Sequence, residues 1–225
     1  MTPTLEMVCV RIDVPGRTLF DRVDLSVSPG ESVAIVGASG AGKTTLLNCA
    51  AGIRSPNAGT VRVGGRDLAA LGSVGRSELR LRSIGMIFQF SDLLPELSVV
   101  DNVALPLRFA GVGKSEARAR AAAQVSRLGL GDLVREKIGR LSGGEKQRIG
   151  IARATVHSPK LILADEPTGM LDDDNTDSVM GLLLQEVSSL GSALLVATHD
   201  RRVSQMLAST VQAEDAGLSV LQGRQ

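Results

Sequence analysis

Eight residues constrain this chain more than any others: Gly37-Ala38-Ser39-Gly40-Ala41-Gly42-Lys43-Thr44. A glycine, four residues, then Gly-Lys and a hydroxyl residue is the pattern of a loop whose backbone N–H groups turn inward around phosphate oxygens. It stands after the apolar run Val33-Ala34-Ile35-Val36 and before a helix expected from Thr45 to Ala51, stopped by Gly52. The helix N-terminus adds partial positive charge at the same place. In this reading Gly37, Ser39, Gly40, Ala41, Gly42 and Thr45 wrap the phosphates. Lys43 reaches the β- and γ-phosphates, and the Thr44 hydroxyl binds Mg²⁺. A glycine-rich turn that merely joins strand to helix is the alternative, disfavoured because motif and context are both satisfied.

The loop belongs to a series. Ile84-Gly85-Met86-Ile87-Phe88 runs into Gln89, Leu161-Ile162-Leu163-Ala164 into Asp165-Glu166, and Leu194-Leu195-Val196-Ala197-Thr198 into His199. Wholly apolar strands are what a parallel sheet covered on both faces requires, and its ligands lie outside the carboxyl ends of the strands. Four strands therefore deliver polar residues to one edge. Between them, Val179, Leu182, Leu183, Val187 and Leu190 mark one face of a helix from Ser178 to Leu190. Ser115-Glu116 opens an Ala- and Arg-rich helix that runs to about Gly129. Leu5 to Val27 alternates like antiparallel strands, and Thr60-Val61-Arg62-Val63 before Gly64-Gly65 reads as a hairpin arm. Val211 to Gln225 reads as a closing strand pair, and residues 90–140 carry helical segments without a convincing buried strand. The expectation is one α/β domain over residues 1–225, with a mainly parallel sheet flanked by helices. A core with an N-terminal antiparallel β part takes residues 1–88 and 141–225, and a helical subdomain takes 90–140.

Bulk properties exclude more than they assign. A chain of 225 residues supports one well-buried core. Lys plus Arg number 25 against 24 for Asp plus Glu, so charge alone gives no reason to expect nucleic acid as a partner. Cys9 and Cys49 are far apart among apolar residues and read as buried structural thiols, as suits a reducing compartment. The start has no basic segment followed by an apolar one, and no apolar run approaches the roughly 20 residues of a membrane-spanning helix. A cytoplasmic protein is expected unless something else holds it at a membrane.

Asp165 and Glu166 end an apolar strand, which places Asp165 to hold Mg²⁺ through water and Glu166 to polarise an attacking water. A carboxylate pair seen alone at a strand end is commonly just solvated; the phosphate loop strengthens the functional reading. His199 is open to two readings, a structural histidine or a hydrogen-bond partner of a γ-phosphate. In Leu141-Ser142-Gly143-Gly144-Glu145, Ser142 and Glu145 have the spacing of a capping box, opening a helix through Gln147 and Arg148 to about His157. Gly143 and Gly144 allow a phosphate close to the exposed N–H groups. As physics alone, the five residues could be no more than a helix start.

In order along the chain stand the phosphate loop, Gln89, Leu141 to Glu145, Asp165-Glu166, the turn Leu171-Asp172, and His199. This set resembles the ATP-binding-cassette family over essentially the whole chain. The resemblance implies a P-loop NTPase of that type, in which two copies pack head to tail. Each ATP then lies between the phosphate loop of one copy and Ser142, Gly143 and Gly144 of the other. It implies ATP hydrolysis with Mg²⁺, with Lys43, Gln89, Glu166 and His199 as catalytic residues and Thr44, Gln89 and Asp165 around the metal. It implies that Gln89 couples to a transmembrane permease subunit whose cytoplasmic helix docks near the helical lobe, at the cytoplasmic face of the membrane. ATP closes the dimer and hydrolysis lets it reopen. Phe90-Ser91-Asp92-Leu93-Leu94-Pro95, Asp101-Asn102-Val103, Leu105-Pro106-Leu107 and Glu166-Pro167-Thr168-Gly169 are similar to the lipoprotein-release, macrolide-export and cell-division ATPases. In that branch, ATP cycles often transmit force to a periplasmic or extracellular domain; antimicrobial-peptide resistance transporters share the features.

Two departures stand out. The family places an aromatic residue against adenine where this chain has Val14, and the chain has no Tyr or Trp, so weaker base discrimination is expected. Met170 stands where the branch commonly has Asn. The rival reading is a soluble cassette protein that remodels DNA or ribosomes. The short stretch from Gln89 to Leu141 and the single set of motifs argue against it, and the presence of Lys43, Glu166 and His199 argues against a subunit that binds ATP without hydrolysing it.

Overall fold

In the computed structural model, which describes residues 2–214 and 216–223, five strands run parallel: β3 (Ser32–Val36), β6 (Ile84–Ile87), β7 (Leu161–Asp165), β8 (Ala193–Thr198) and β9 (Ser209–Glu214). Their order is β9-β3-β8-β7-β6, with Val36 beside Thr198 and Asp165 beside Ala197. Every residue of β8 is buried, because alternate side chains enter two different cores. Leu194 and Val196 join the cluster under α3 (Val99–Phe109), α4 (Lys114–Arg127), α5 (Gly143–Thr155) and α6 (Asp173–Leu190). Ala193, Leu195 and Ala197 join the opposite cluster, which holds α1 (Lys43–Ala50) and the N-terminal strands. A strand with no polar face has one place to turn polar, its end, and that places the site.

The antiparallel strands are β1 (Leu5–Val14), β2 (Arg17–Val27), β4 (Ala58–Val63), β5 (Arg66–Asp67) and β10 (Ala216–Gly223). They do not form a separate sheet. β10 pairs antiparallel with β9 and parallel with β2, making one ten-stranded sheet, β5-β4-β1-β2-β10-β9-β3-β8-β7-β6. The Cys9 expectation fails: its thiol is exposed, whereas Cys49 is buried. The β1–β2 register shifts between Met7 and Val10, and Cys9 sits there at φ +50° with its N–H donating to Asp24 Oδ1 at 2.8 Å. An extra residue in the ladder turns that side chain away from the apolar face. Met1, Asp215, Arg224 and Gln225 lie outside the described residues, and with them part of the expected closing strand pair.

Between β6 and β7 the regular elements are helical, joined by turns and loops and by an isolated bridge from Ser98 to Lys137. Buried Asn102 on α3 accepts from Leu94 N–H at 2.8 Å and donates to Leu94 O at 3.0 Å, pinning the loop that precedes the helix. α6 begins five residues before its apolar periodicity does, since Asp172 caps it by accepting from Asn175 N–H at 2.9 Å. α2 (Ser73–Ser83) buries only Leu79, which is why no periodicity announces it. No helix among the described residues is long and apolar enough to cross a membrane.

Candidate active site

The carboxyl ends of β3, β7 and β8 open on a cleft of about 760 Å³ that also meets Gln89 after β6. Gly40 at φ +80° and Gly42 at φ +93° bend the loop through the left-handed region, and a Cβ at Gly42 would lie 2.9 Å from the Phe20 ring. No side chain caps α1, so its first N–H groups remain for a ligand. Lys43 is 7% exposed, and its ammonium donates to Gly37 O at 2.8 Å and Ala38 O at 3.2 Å, 3.7 Å from Glu166 Oε1. A buried cation satisfied by carbonyls that belong to the loop itself is one that incoming phosphate oxygens can draw away.

Glu166 is held at φ +45°, a conformation that costs a non-glycine residue about 1–3 kcal/mol and marks functional positions. Its N–H donates to Ala197 O at 2.8 Å, so β8 holds the strained turn. Glu166 Oε1 lies 2.9 Å from His199 Nδ1, and Glu166 Oε2 accepts from His199 N–H at 3.4 Å. Of the two readings open for His199, the contact favours one inside the site. Burial pushes the Asp165 carboxyl above its ordinary range and the charge of Glu166 adds to this, while the Thr44 hydroxyl, which donates to it, and Lys43 oppose it.

Thr44, Asp165 and Gln89 put a hydroxyl, a carboxylate and an amide on one cleft wall. These are hard oxygen donors, and a half-buried carboxylate whose charge is disfavoured by its surroundings fits a small divalent cation. Among the described residues no three His, Cys, Asp or Glu side chains group to hold a metal, so the set suits a cation that takes part of its shell from phosphate. A Cβ at Gly169 would fall 3.0 Å from Gln89 Nε2, so the glycine keeps room for that side chain.

Val14, Ser39, Gly40, Gly42, Lys43, Thr44, Thr45, Gln89, Asp165, Glu166 and His199 all line the cleft, while Gly37 meets it through its carbonyl's bond to Lys43 and Ala41 is a partly buried neighbour of the core. Ser142, Gly143 and Gly144 do not line it. They sit at the start of α5, where the capping box forms in full: Ser142 Oγ accepts from Glu145 N–H at 3.3 Å and Ser142 N–H donates to Glu145 Oε2 at 2.7 Å. That backbone N–H, with the Ser142 hydroxyl, holds the Glu145 carboxyl below its ordinary range. Ser142 and Gly143 are exposed, and Gly144 lies so near α6 that its Cβ would be 3.0 Å from Asn175 Oδ1.

Four neighbours of the site were not found from the sequence. Arg17 and Leu19 line the cleft, and a hairpin register across Pro15-Gly16, with Val14 opposite Arg17, could have pointed to Arg17. Gln147 on α5 accepts from buried Ser91 at 2.5 Å and donates to Phe88 O at 3.2 Å. Arg153 donates to Ser91 O at 2.5 Å and Asp92 O at 2.7 Å, so α5 grips the segment that carries Gln89, where Ser91 and Asp92 both have positive φ. No local signal in the sequence marks those pairs.

A strand-end cleft with a phosphate loop, a strained carboxylate and a separate exposed helix cap defines an ATP-hydrolysing cassette. The chain matches the ABC transporter family over residues 20–169, and it belongs to that family. It is 44% identical over 222 residues to the lipoprotein-releasing system ATP-binding protein LolD of Hyphomonas neptunium, covering 97% of each chain. The LolD protein of Pseudomonas fluorescens is 42% identical over 196 residues, 87% of this chain and 86% of that one. Among solved structures it is similar to the dimeric post-hydrolysis state of the ATP-binding cassette MJ0796 bound to ADP and Pi. That match is 30% identical with a TM-score of 0.86, covering 98% of this chain and 100% of the other.

Proposed function

We propose that this chain is the ATP-hydrolysing subunit of a lipoprotein-releasing type of transporter, in the branch shared with macrolide-export and cell-division ATPases. It works as a homodimer under separate permease subunits at the cytoplasmic face of the membrane. The observation that carries the reading is the division of the site: a charged cleft within the chain, and an exposed cap at Ser142 and Gly143 outside it. A cap whose Ser142 and Gly143 are exposed, away from the cleft of its own chain, suits a phosphate delivered by another copy. Relatives named for lipoprotein release at 42–44% identity support the branch.

In the proposed reaction the triphosphate lies over the loop and draws Lys43 from the Gly37 and Ala38 carbonyls. Thr44, Asp165 and Gln89 would hold Mg²⁺, which would supply positive charge to the phosphate groups when bound. Glu166 accepts a proton as water oxygen bonds to the γ-phosphorus and the bridge to the β-phosphate breaks, leaving ADP and phosphate. His199 orients Glu166 and reaches the γ-phosphate. The partner's Ser142, Gly143 and Gly144 close over the same γ-phosphate. The helical region, residues 90–140, is the part proposed to move as a subdomain. A second cleft of about 460 Å³, with Met86, Phe88, Leu105, Phe109 and Arg153 on its walls and the Phe109 side chain 73% exposed, is where a cytoplasmic helix of the permease is proposed to dock.

Mass spectrometry of what co-purifies from native membranes with Glu166→Gln protein held in ATP tests this. A permease with few spans and a large external domain is the expected partner. A compact many-spanning permease, or only ribosomal or DNA-bound partners, would overturn the assignment.

A further inference from the structure

The nucleotide cleft is lined by groups of two chemistries. Lys43, Thr44 and the carboxylates are charged or polar, whereas Val14, Arg17 and Leu19 bring the β1–β2 hairpin to the same cleft. A purine is a flat aromatic ring whose face binds best against another flat group. The chain has no Trp, no Tyr and four Phe, and none of those Phe lines the cleft. Phe20, which belongs to the hairpin, is 1% exposed and lies in the core beneath Gly42. Among the hairpin residues that line the cleft, the flat group available is the guanidinium of Arg17.

The hairpin presents it rigidly. Val14 pairs with Arg17 across Pro15 and Gly16, and Gly16 stands at φ +83°, so two residues make the whole turn. Behind the turn, Asp13 accepts from the Thr18 hydroxyl at 2.8 Å while its own N–H donates to Asn57 Oδ1 at 2.8 Å. Arg17 is exposed, and its Nη2 donates to Gly40 O at 2.8 Å, which carries the guanidinium across to the tip of the phosphate loop. The bond ends on a neutral carbonyl rather than a carboxylate. A guanidinium so held is planar and less strongly hydrated than an ammonium, and it lines the cleft together with the aliphatic Val14 and Leu19.

We propose that Arg17 is the base platform of this site, its guanidinium plane stacking on adenine where an aromatic side chain is lacking. The proposal rests on the reading of the cleft as an ATP site. A rival role, a positive charge on the phosphates, makes different predictions because it needs neither a flat group nor a base.

Equilibrium binding of ADP and of inorganic tripolyphosphate, each with Mg²⁺, to the full chain separates them. Arg17→Ala is expected to weaken ADP about tenfold and leave tripolyphosphate unchanged. Arg17→Phe should restore ADP binding, and Arg17→Lys, which keeps the charge but not the plane, should not. Equal weakening of both ligands in Arg17→Ala, or rescue by Lys, would mean a phosphate contact and overturn the proposal. Unchanged ADP affinity in Arg17→Ala would overturn it as well. Lys43→Ala is the control for the site itself: if it binds both ligands like the parent protein, the ATP reading of the cleft fails, whatever Arg17 does.

Discussion

The two regions proposed to meet phosphate are built in opposite ways. Around Lys43 three strand ends and the segment after β6 converge, and the charged groups satisfy one another: ammonium on loop carbonyls, carboxylate on His199, hydroxyl on Asp165. At Ser142 two helix starts lie side by side, each capped by its own side chain, with exposed residues facing away from the fold. The first region is a closed electrostatic network that a ligand has to break into. The second is a locally capped helix start, held by bonds within three residues of one another. Two such halves suit a machine in which binding energy in one copy is spent on rearranging charges and in the other on docking.

Substitutions separate the halves. Glu166→Gln removes the proposed base while leaving the phosphate loop intact, so turnover should fall roughly 10²–10⁴-fold with ATP binding retained. Near-normal phosphate release in that variant would place the chemistry elsewhere. Next in size, Ser142→Arg should lower turnover roughly 10²-fold by blocking the cap, while ADP still binds the isolated cleft like the parent protein. If ADP binding collapsed too, the two regions would not be independent. Val14→Tyr adds an aromatic face to the cleft, and ATP should gain about three- to tenfold over GTP in competition assays; equal discrimination before and after would show that the aliphatic wall is not what limits it.

The smallest effect concerns how the cap holds itself together. The Glu145 carboxyl is held below its ordinary range in the fold, so its contribution to stability is complete above the usual Glu pKa of about 4.3 and is lost as pH falls through the lowered value. Glu145→Ala should therefore lower the melting temperature by about 2–4 °C at neutral pH, with the gap closing in acid. A gap that persists unchanged at the lowest pH would show that charge plays no part in the cap.

Local rules reached far along this chain because strands buried on both faces show their polar ends plainly. The loop, Asp165-Glu166, His199 and the Ser142 capping box were readable at their positions, since each depends on neighbours within a few residues. The helix at Ser73 was not, because one buried leucine leaves no period to detect, and exposed Cys9 was misplaced because a register shift is a property of two paired strands.

By itself, then, the order of residues determined the parallel core and the phosphate loop, which follow from periodicity and short spacing, and it named the side chains proposed to react, in part through the family resemblance. The tertiary structure decided what meets what: His199 on Glu166 across 33 residues, Gln147 and Arg153 on the Gln89 segment across about 60, and Arg17 over Gly40. Those contacts join residues far apart in the chain, and only chain folding, which brings separate strand ends to one edge and sets helix against loop, gives them a distance.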